Sequence, residues 1–194
     1  MSGDLISKMI ALSIVKFDKG TVRVRGRLVT MISTDTLLYM ERHLSERIGN
    51  EEAAQFIYEC GLHQTKTGAK RYLQEKGELS RLYQRVPVTG DASMEMGWEV
   101  LKLAGWGDTR LGEFIGKGEK AIANTKNSPT AEAYLAEYGK SDRPVCHYLR
   151  GLIAGVAESV SGQDYSAVET SCKATGISQE CVFELKRIGK KRKS

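Results

Sequence analysis

A glutamate and three late cysteines restrict the fold more than any other feature of this sequence. They form the pattern Cys-x22-Glu-x2-Cys-x8-Cys, at Cys146, Glu169, Cys172 and Cys181. We expect Cys146 in the first turn of a helix, Glu169 and Cys172 at a strand end and its turn, and Cys181 at the start of the returning strand. A hairpin end would bring the last three together, and the helix start needs only to dock beside them. Three thiolates and a carboxylate are an acceptable tetrahedral ligand set for zinc.

The spacing alone leaves other interpretations open. It is not a standard zinc-finger spacing, and free cysteine is among the most buried residue types, so three core cysteines would be ordinary. A disulfide is disfavoured in the reducing cytoplasm, where we place the chain. His147 follows Cys146 directly, but sequence neighbours on a helix point about 100° apart and do not form a catalytic dyad by themselves.

Composition and charge describe an ordinary globular protein. Of the 194 residues, 41% are hydrophobic and 27% are charged. The net charge of +5 comes largely from a basic C-terminal block, which is typical of a solvated tail and makes nucleic acid a weak expectation as a partner. The apolar run 6–17 contains two lysines and is too short to span a membrane. No secretory signal is readable, so we expect a cytoplasmic protein.

Helical and strand patterns interleave along the chain, which predicts a mixed α/β (α+β) fold. Strands 11–17 and 21–32 should form a hairpin around Asp18-Lys19-Gly20. The run 110–125 is predicted to be one kinked strand. Residues 76–92 are predicted to be a connection. Further strands are expected at 165–170 and 182–185, and helices at 34–48, 51–60 (ending at Gly61), 66–75, 94–103, 129–138 and 145–161.

The C-terminal residues resemble the vinyl-4-reductase domain family. The resemblance rests on the runs 144–155 (PVCHYLRGLIAG), 168–176 (VETSCKATG) and 181–184 (CVFE), with a looser similarity at 51–61 (EEAAQFIYECG). It implies the fold shared by nitric-oxide-signalling and Golgi-transport ligand-binding domains, in which an antiparallel sheet packs with helices. The family includes the sensory domains of phenol-responsive activators and archaeal proteins described as hydrocarbon-binding.

The resemblance implies a structural zinc. It assigns Cys146, Glu169, Cys172 and Cys181 as the four ligands. A closed four-ligand site has no open position for water, so the expected role is structural and we predict no catalytic residue.

The resemblance also implies an apolar pocket near the metal-braced end, for a small hydrophobic or aromatic molecule. The ligand-binding candidates are Trp106, Phe114, Tyr134 and Tyr148, and each could equally fill the core. Phenol-sensing relatives carry a tryptophan just ahead of the helix that precedes the first cysteine. This sequence has no aromatic residue at 123–128, a departure from the family that puts phenol itself in doubt and leaves a small hydrophobic ligand open.

These expectations define a domain plan and a function. Residues 1–76 form an N-terminal hairpin and helices of the same domain and a possible dimerisation segment, 77–187 the ligand-binding core, and 188–194 a basic tail. Relatives are commonly homodimers. Gly151 and Gly155 lie one helical turn apart and would permit close helix approach, either in packing against the sheet or at a subunit interface.

The predicted function is a zinc-braced sensor or carrier of a small hydrophobic molecule. One alternative is an enzyme or accessory factor in tetrapyrrole vinyl reduction, although no GxGxxG motif follows a predicted strand and opens a helix. The other is a ligand-responsive nucleic-acid-binding regulator that uses the helices of 35–75. The acidic residues of that segment suit a docking surface better than a phosphate-facing one.

Overall fold

An antiparallel three-stranded sheet forms the N-terminal part of the computed structural model, which describes residues 15–24, 27–74, 97–98, 100–102, 104–115 and 119–189. Its strands β1 (Val15–Asp18), β2 (Thr21–Val24) and β3 (Arg27–Val29) are adjacent in that order. The tight turn between β1 and β2 requires positive φ at both central residues, and Lys19 (φ 44°) and Gly20 (φ 77°) provide it. The predicted hairpin is therefore confirmed at its turn.

The predicted second strand of that hairpin, 21–32, is wrong in extent. β2 and β3 pair with each other, with Val24 opposite Arg27, so the chain reverses within the run. A continuous β-prone pattern shows that a segment is extended but not where it folds back.

Helix α1 (Thr34–Ile48) begins and ends at the predicted signals. The Thr36 N–H donates to the hydroxyl of the cap residue Ser33 at 3.3 Å, and Gly49 ends the helix with a φ of 90°. Helix α2 (Asn50–Gln74) then continues for 25 residues. The prediction that a helix ends at Gly61 is therefore wrong. A Cβ at Gly61 would lie 2.2 Å from the carbonyl oxygen of Tyr148, so this glycine permits a close helix crossing and does not act as a stop.

The predicted single strand at 110–125 is also wrong, because the segment forms two strands. β4 (Asp108–Ile115) and β5 (Lys120–Lys126) pair antiparallel, with Ile115 opposite Lys120. The register shifts between Leu111 and Glu113, so Gly112 marks a β-bulge. Residues 97–98 and 100–102 are helical, inside the predicted helix 94–103, and the predicted connection 76–92 lies outside the described residues.

The C-terminal elements follow the sequence prediction closely. They are α3 (Pro129–Tyr138), α4 (His147–Ser161), β6 (Asp164–Ser171) and β7 (Cys181–Ile188). β4, β5, β7 and β6 form a four-stranded sheet in that order, and every neighbouring pair is antiparallel. One correction concerns the site: α4 begins at His147, so Cys146 is its N-cap residue and does not lie in its first turn.

Helix α4 is the centre of the fold. Every residue from 151 to 158 is buried, as expected for a helix covered on both sides. It packs on β6 and, on another face, against α2. A Cβ at Gly151 would lie 2.0 Å from the carbonyl oxygen of Tyr58, and one at Gly155 would lie 2.6 Å from the Cβ of Thr65. The close helix approach predicted for these glycines is therefore confirmed, but the approaching element is α2 of the same chain and neither the sheet nor a second subunit.

A buried carboxylate fixes α2 and α4 to the edge of the sheet. Glu158 on α4 accepts the N–H of Tyr165 on β6 at 3.1 Å and pairs with Lys66 on α2 at 2.5 Å. Within the described residues, no helix is both long enough and apolar enough to cross a membrane.

Candidate metal centre and aromatic site

Three cysteines and a glutamate meet at one end of the four-stranded sheet. The candidate ligand atoms of Cys146, Glu169, Cys172 and Cys181 all lie within 4.8 Å of one another, and all four residues are buried. The Sγ–Sγ distances are 3.6 Å for Cys146–Cys181, 3.9 Å for Cys146–Cys172 and 4.0 Å for Cys172–Cys181. Sulfurs bonded to a tetrahedral zinc at about 2.3 Å would be roughly 3.8 Å apart. The cluster therefore has the spacing of a zinc site, and its sulfurs are too far apart for disulfides.

A β-bulge aims two of these side chains at the same point. Residues three apart on a regular strand face opposite sides of a sheet, so Glu169 and Cys172 could not converge without an irregularity. The register shifts between Glu169 and Ser171, which leaves Thr170 as the extra residue. Because the bulge changes the alternation of faces, both Glu169 and Cys172 are buried.

Each candidate ligand side chain also has a hydrogen-bond contact with a group that is not one of the four ligand atoms. The Cys146 N–H donates to Glu169 Oε2 at 2.9 Å, and the Lys173 N–H donates to Cys181 Sγ at 3.4 Å. The hydroxyl of Ser128 lies 3.2 Å from Cys146 Sγ, and the backbone of Val145 hydrogen-bonds to Cys172. Such donors orient ligands and stabilise negative charge on sulfur.

Burial and the contacts within the cluster shift the pKa values of all four candidate ligand groups. Hydrogen bonds from the thiols of Cys146 and Cys181 hold the pKa of Cys172 far below its usual range. Burial raises the pKa of Cys146, and burial with the adjacent Cys172 raises that of Glu169 to about 8. The hydrogen bond with Cys146 lowers the pKa of Cys181, but its bond to Cys172 and burial outweigh that effect, so the net shift is upward. Metal binding requires these groups to be deprotonated, so a divalent cation would replace their protons.

One oxygen of the cluster is left for such a cation. Glu169 Oε2 accepts the Cys146 N–H, whereas Glu169 Oε1 is buried with no hydrogen-bond partner among the residues that the structure describes. A buried carboxylate oxygen is rarely left unpaired without a reason. The donor set, its spacing and this oxygen all fit a zinc ion held by three sulfurs and one oxygen.

The structure brings together two of the four ligand-binding candidates. Trp106, just before β4, stacks on Tyr148 in the first turn of α4, with ring centroids 5.0 Å apart and planes at 28°. Both rings are half-buried against the core. Tyr134 on α3 instead contacts Tyr138 edge to face, at 5.2 Å. Phe114 lies on β4, and its side chain is outside what the structure describes.

Two buried residues, Trp98 and Ser128, are not among the site residues predicted from the sequence. Trp98 is only 1% exposed, and its indole N–H has no hydrogen-bond partner among the described residues. Its position in the apolar helical run 94–103 was a sequence signal for burial. Ser128 precedes Pro129 at a helix start, and that pattern suggests a cap and not a contact with sulfur.

Glu41 on α1 and His147 at the start of α4 meet beside the metal cluster. His147 Nε2 lies 3.4 Å from Glu41 Oε1, and both side chains are largely buried. Burial, partly offset by Arg143 and Arg150, raises the pKa of Glu41 to about 7. Burial lowers the pKa of His147 to about 4. Between about pH 4 and about pH 7 the side chains of Glu41 and His147 are therefore both neutral.

Glu41→Gln is expected to stabilise the protein more at about pH 8 than at about pH 5. The pKa of Glu41 rises from 4.5 to about 7 on folding. Its stabilising contribution is therefore full below pH 4.5 and is lost as the pH rises through about 7. Glutamine stays neutral and avoids this loss. Urea denaturation of both proteins at the two pH values, with equal zinc, measures the difference. An equal difference at both would contradict the assignment.

The comparisons with known proteins agree with this architecture. Residues 126–187 match the model of the vinyl-4-reductase domain family. The phenol regulator MopR of Acinetobacter guillouiae is 43% identical over 181 residues, which is 89% of this chain and 29% of that protein. The chain therefore spans less than a third of the length of this curated relative.

Solved structures share the fold at low sequence identity. The phenol-responsive sensory domain of the transcription activator PoxR, solved with phenol, has a TM-score of 0.73 at 16% identity, covering 96% of this chain and 92% of that one. A vinyl-4-reductase family protein from Methanocaldococcus jannaschii has a TM-score of 0.53 at 16% identity, covering 83% and 85%. Subunit 3 of the trafficking protein particle complex from Naegleria fowleri, covalently bound to palmitic acid, has a TM-score of 0.52 at 11% identity, covering 80% and 95%.

These matches confirm the predicted fold class, a mixed α/β (α+β) fold with an antiparallel sheet packed with helices. Residues 126–187 match the vinyl-4-reductase domain family, as the sequence resemblance predicts, and the chain has the fold of a phenol-responsive sensory domain.

Proposed function

We propose that this chain is a zinc-braced module that senses or carries a small hydrophobic or aromatic molecule. The observation that carries the proposal is the position of the stacked Trp106–Tyr148 pair, since Tyr148 follows the ligand Cys146 by two residues. A metal that fixes the start of α4 would also fix one wall of the aromatic site. Two phenol-responsive relatives, one of them solved with phenol, support a small aromatic ligand.

The proposed zinc has a structural role. Cys146, Glu169, Cys172 and Cys181 would hold it, and it would link the N-terminus of α4 to the hairpin of β6 and β7. Thiolates prefer zinc to hard cations such as magnesium, and four protein ligands leave no open coordination position. We also propose a cytoplasmic location, where reducing conditions would keep the thiols available to the metal.

We propose that Trp106 and Tyr148 line the ligand site, with Tyr134 on α3 and Phe114 on β4 as further candidates. A pocket of this class is mostly apolar and has a few placed polar groups. The half-buried state of Trp106 and Tyr148 supports the assignment, because a ligand that covered them would remove apolar surface from water. No observation on the described residues favours vinyl reduction or nucleic-acid binding, and the basic tail from 190 onward lies outside them.

We further propose that the chain is a homodimer and that residues 1–76, as part of the same domain, contribute the subunit contact. Large apolar side chains are concentrated on the exposed surface of this segment: Phe17 is 74% exposed, Met31 87% and Met40 56%. A concentration of exposed apolar side chains in one segment supports an interaction site there.

Native mass spectrometry of protein purified without added zinc tests these proposals together. We expect a dimer mass with one zinc per chain and, where ligand co-purifies, a small-molecule adduct that dissociates before the metal. A protein without zinc would refute the metal centre. A monomer would refute the proposed subunit contact.

Titration with phenol and with toluene, its hydroxyl-free counterpart, tests the ligand site. We expect Tyr148→Ala to weaken binding of whichever probe binds by about tenfold, since an aromatic contact of this size contributes at least about 1.4 kcal/mol. Phe56→Ala, which removes a half-exposed aromatic side chain from α2, is the control and should leave binding unchanged. Equal effects of the two substitutions, or no binding of either probe, would contradict the proposed site.

A further inference from the structure

The hydroxyl of Ser128 does not make the capping hydrogen bond expected at its position. Ser128 is the N-cap residue of α3, where a serine oxygen ordinarily accepts a backbone N–H from the first turn. Its carbonyl oxygen accepts the Glu132 N–H at 3.0 Å, but within the described helix its side chain makes no capping hydrogen bond. The hydroxyl instead lies 3.2 Å from Cys146 Sγ. Ser128 is 1% exposed and Cys146 is fully buried, so water does not compete for this contact.

Two more contacts join α3 to the loop that carries the metal ligands. In the first turn of α3, Glu132 Oε1 lies 2.5 Å from Lys173 Nζ, and the backbone N–H of Lys173 donates to Cys181 Sγ. Beyond the end of α3, the Ser141 N–H donates to the carbonyl oxygen of Ala174 at 2.9 Å. The helix is thus attached to the candidate centre at its start, in its first turn and just after its end.

On another side, α3 contacts α1. The Tyr39 hydroxyl donates to Glu137 at 3.3 Å, and the Arg42 guanidinium lies 5.4 Å from the centroid of the Tyr138 ring. Helix α3 therefore connects the candidate metal centre to the N-terminal segment.

We propose that Ser128 is a positioning residue of the metal centre: its hydroxyl donates to the Cys146 sulfur and couples metal occupancy to the placement of α3. The inference rests on the proposed zinc site. A metal-bound thiolate is a strong hydrogen-bond acceptor, whereas a protonated thiol is a weak one, and bonds to charged acceptors are about twice as strong as neutral ones. Loss of the metal weakens the Ser128 bond, and the first turn of α3 loses its attachment to α4.

Ser128→Ala and the control Ser141→Ala test this proposal in the full chain. Both remove one hydroxyl from a buried serine next to an end of α3, but the Ser141 hydroxyl accepts the Arg143 N–H and does not contact sulfur. Competition with a chromophoric chelator measures zinc affinity, and we expect a roughly tenfold loss for Ser128→Ala alone, as is typical when a hydrogen bond to a ligand is removed. In the cobalt-substituted protein, the thiolate-to-cobalt charge-transfer band should move to longer wavelength in Ser128→Ala only, because the sulfur loses a donor.

The outcomes separate this inference from the proposed function. If the wild-type protein binds zinc and Ser128→Ala matches Ser141→Ala in affinity and spectrum, the role of Ser128 is refuted and the metal centre stands. If the wild-type protein binds neither zinc nor cobalt, both the metal centre and the role of Ser128 are refuted.

A measurement on the wild-type chain decides the case if Ser128→Ala does not fold. Amide hydrogen exchange before and after zinc removal should show a larger loss of protection in α3 than in the first half of α2. An equal loss in both helices would refute the coupling.

Discussion

Cys172→Ser is expected to abolish stoichiometric zinc binding and to lower the free energy of unfolding by on the order of 3–5 kcal/mol, the range seen when one partner of a buried charged set is removed. Cys172 lies within 4.0 Å of both other sulfurs, and its hydrogen bonds with them hold its pKa below its usual range. A serine hydroxyl stays protonated at neutral pH and is a poor zinc ligand. Glu169, Cys146 and Cys181 would remain buried without the cation that links them.

Cys60→Ser provides the control for that substitution. Cys60 is a half-buried free cysteine on α2 and is not among the residues of the metal cluster. We expect it to keep one zinc per chain and to lose no more than about 1 kcal/mol of stability. Metal analysis and urea denaturation of both variants measure the two effects. A Cys172→Ser protein that retains stoichiometric zinc would exclude the proposed ligand set.

The C-terminal third of the chain, from Pro129 onward, could be predicted from sequence because its signals are local. Pro129 opens α3 at a position where a missing N–H has no consequence, and Gly139 and Gly162 end α3 and α4 with positive φ. The four candidate ligands could be grouped for a similar reason, since three of them lie on one short hairpin. Their spacing alone did not decide between a metal site and a cysteine-rich core, and the family resemblance supplied that step.

Two of the wrong predictions concern glycines. Gly61 was interpreted as a helix end, but its backbone is normal helix and its missing side chain admits the carbonyl of Tyr148. In the 110–125 run, Gly112 marks a β-bulge and the chain reverses between Ile115 and Lys120, which a strand pattern does not distinguish from a kink. Ser128 and Cys146 are 18 residues apart, and no local rule predicts that a capping serine hydrogen-bonds to a distant sulfur.

Gly151→Ala is expected to lower the free energy of unfolding by about 3 kcal/mol or more, at or above the upper end of the usual cost of overpacking. The added Cβ would lie 2.0 Å from the carbonyl oxygen of Tyr58 and 2.8 Å from the backbone nitrogen of Leu62. Both atoms belong to the backbone of α2, so no side-chain rotation relieves the clash and the two helices must separate. Gly61 makes the reciprocal approach to the Tyr148 carbonyl, so the same crossing cannot adjust from the other side.

Gly68→Ala applies the same chemical change where α2 has room, and its predicted effect has the opposite sign. A Cβ at Gly68 would meet no atom within 4 Å, and alanine in a helix interior is more stable than glycine by roughly 0.5–1 kcal/mol. Urea denaturation at fixed zinc compares the two variants, and equal stabilities would rule out the close crossing. Zinc affinity should follow the same order, because Cys146 caps α4 and moves with it. Displacement of α4 at Gly151 therefore weakens the metal centre, whereas added helix propensity at Gly68 leaves it unchanged.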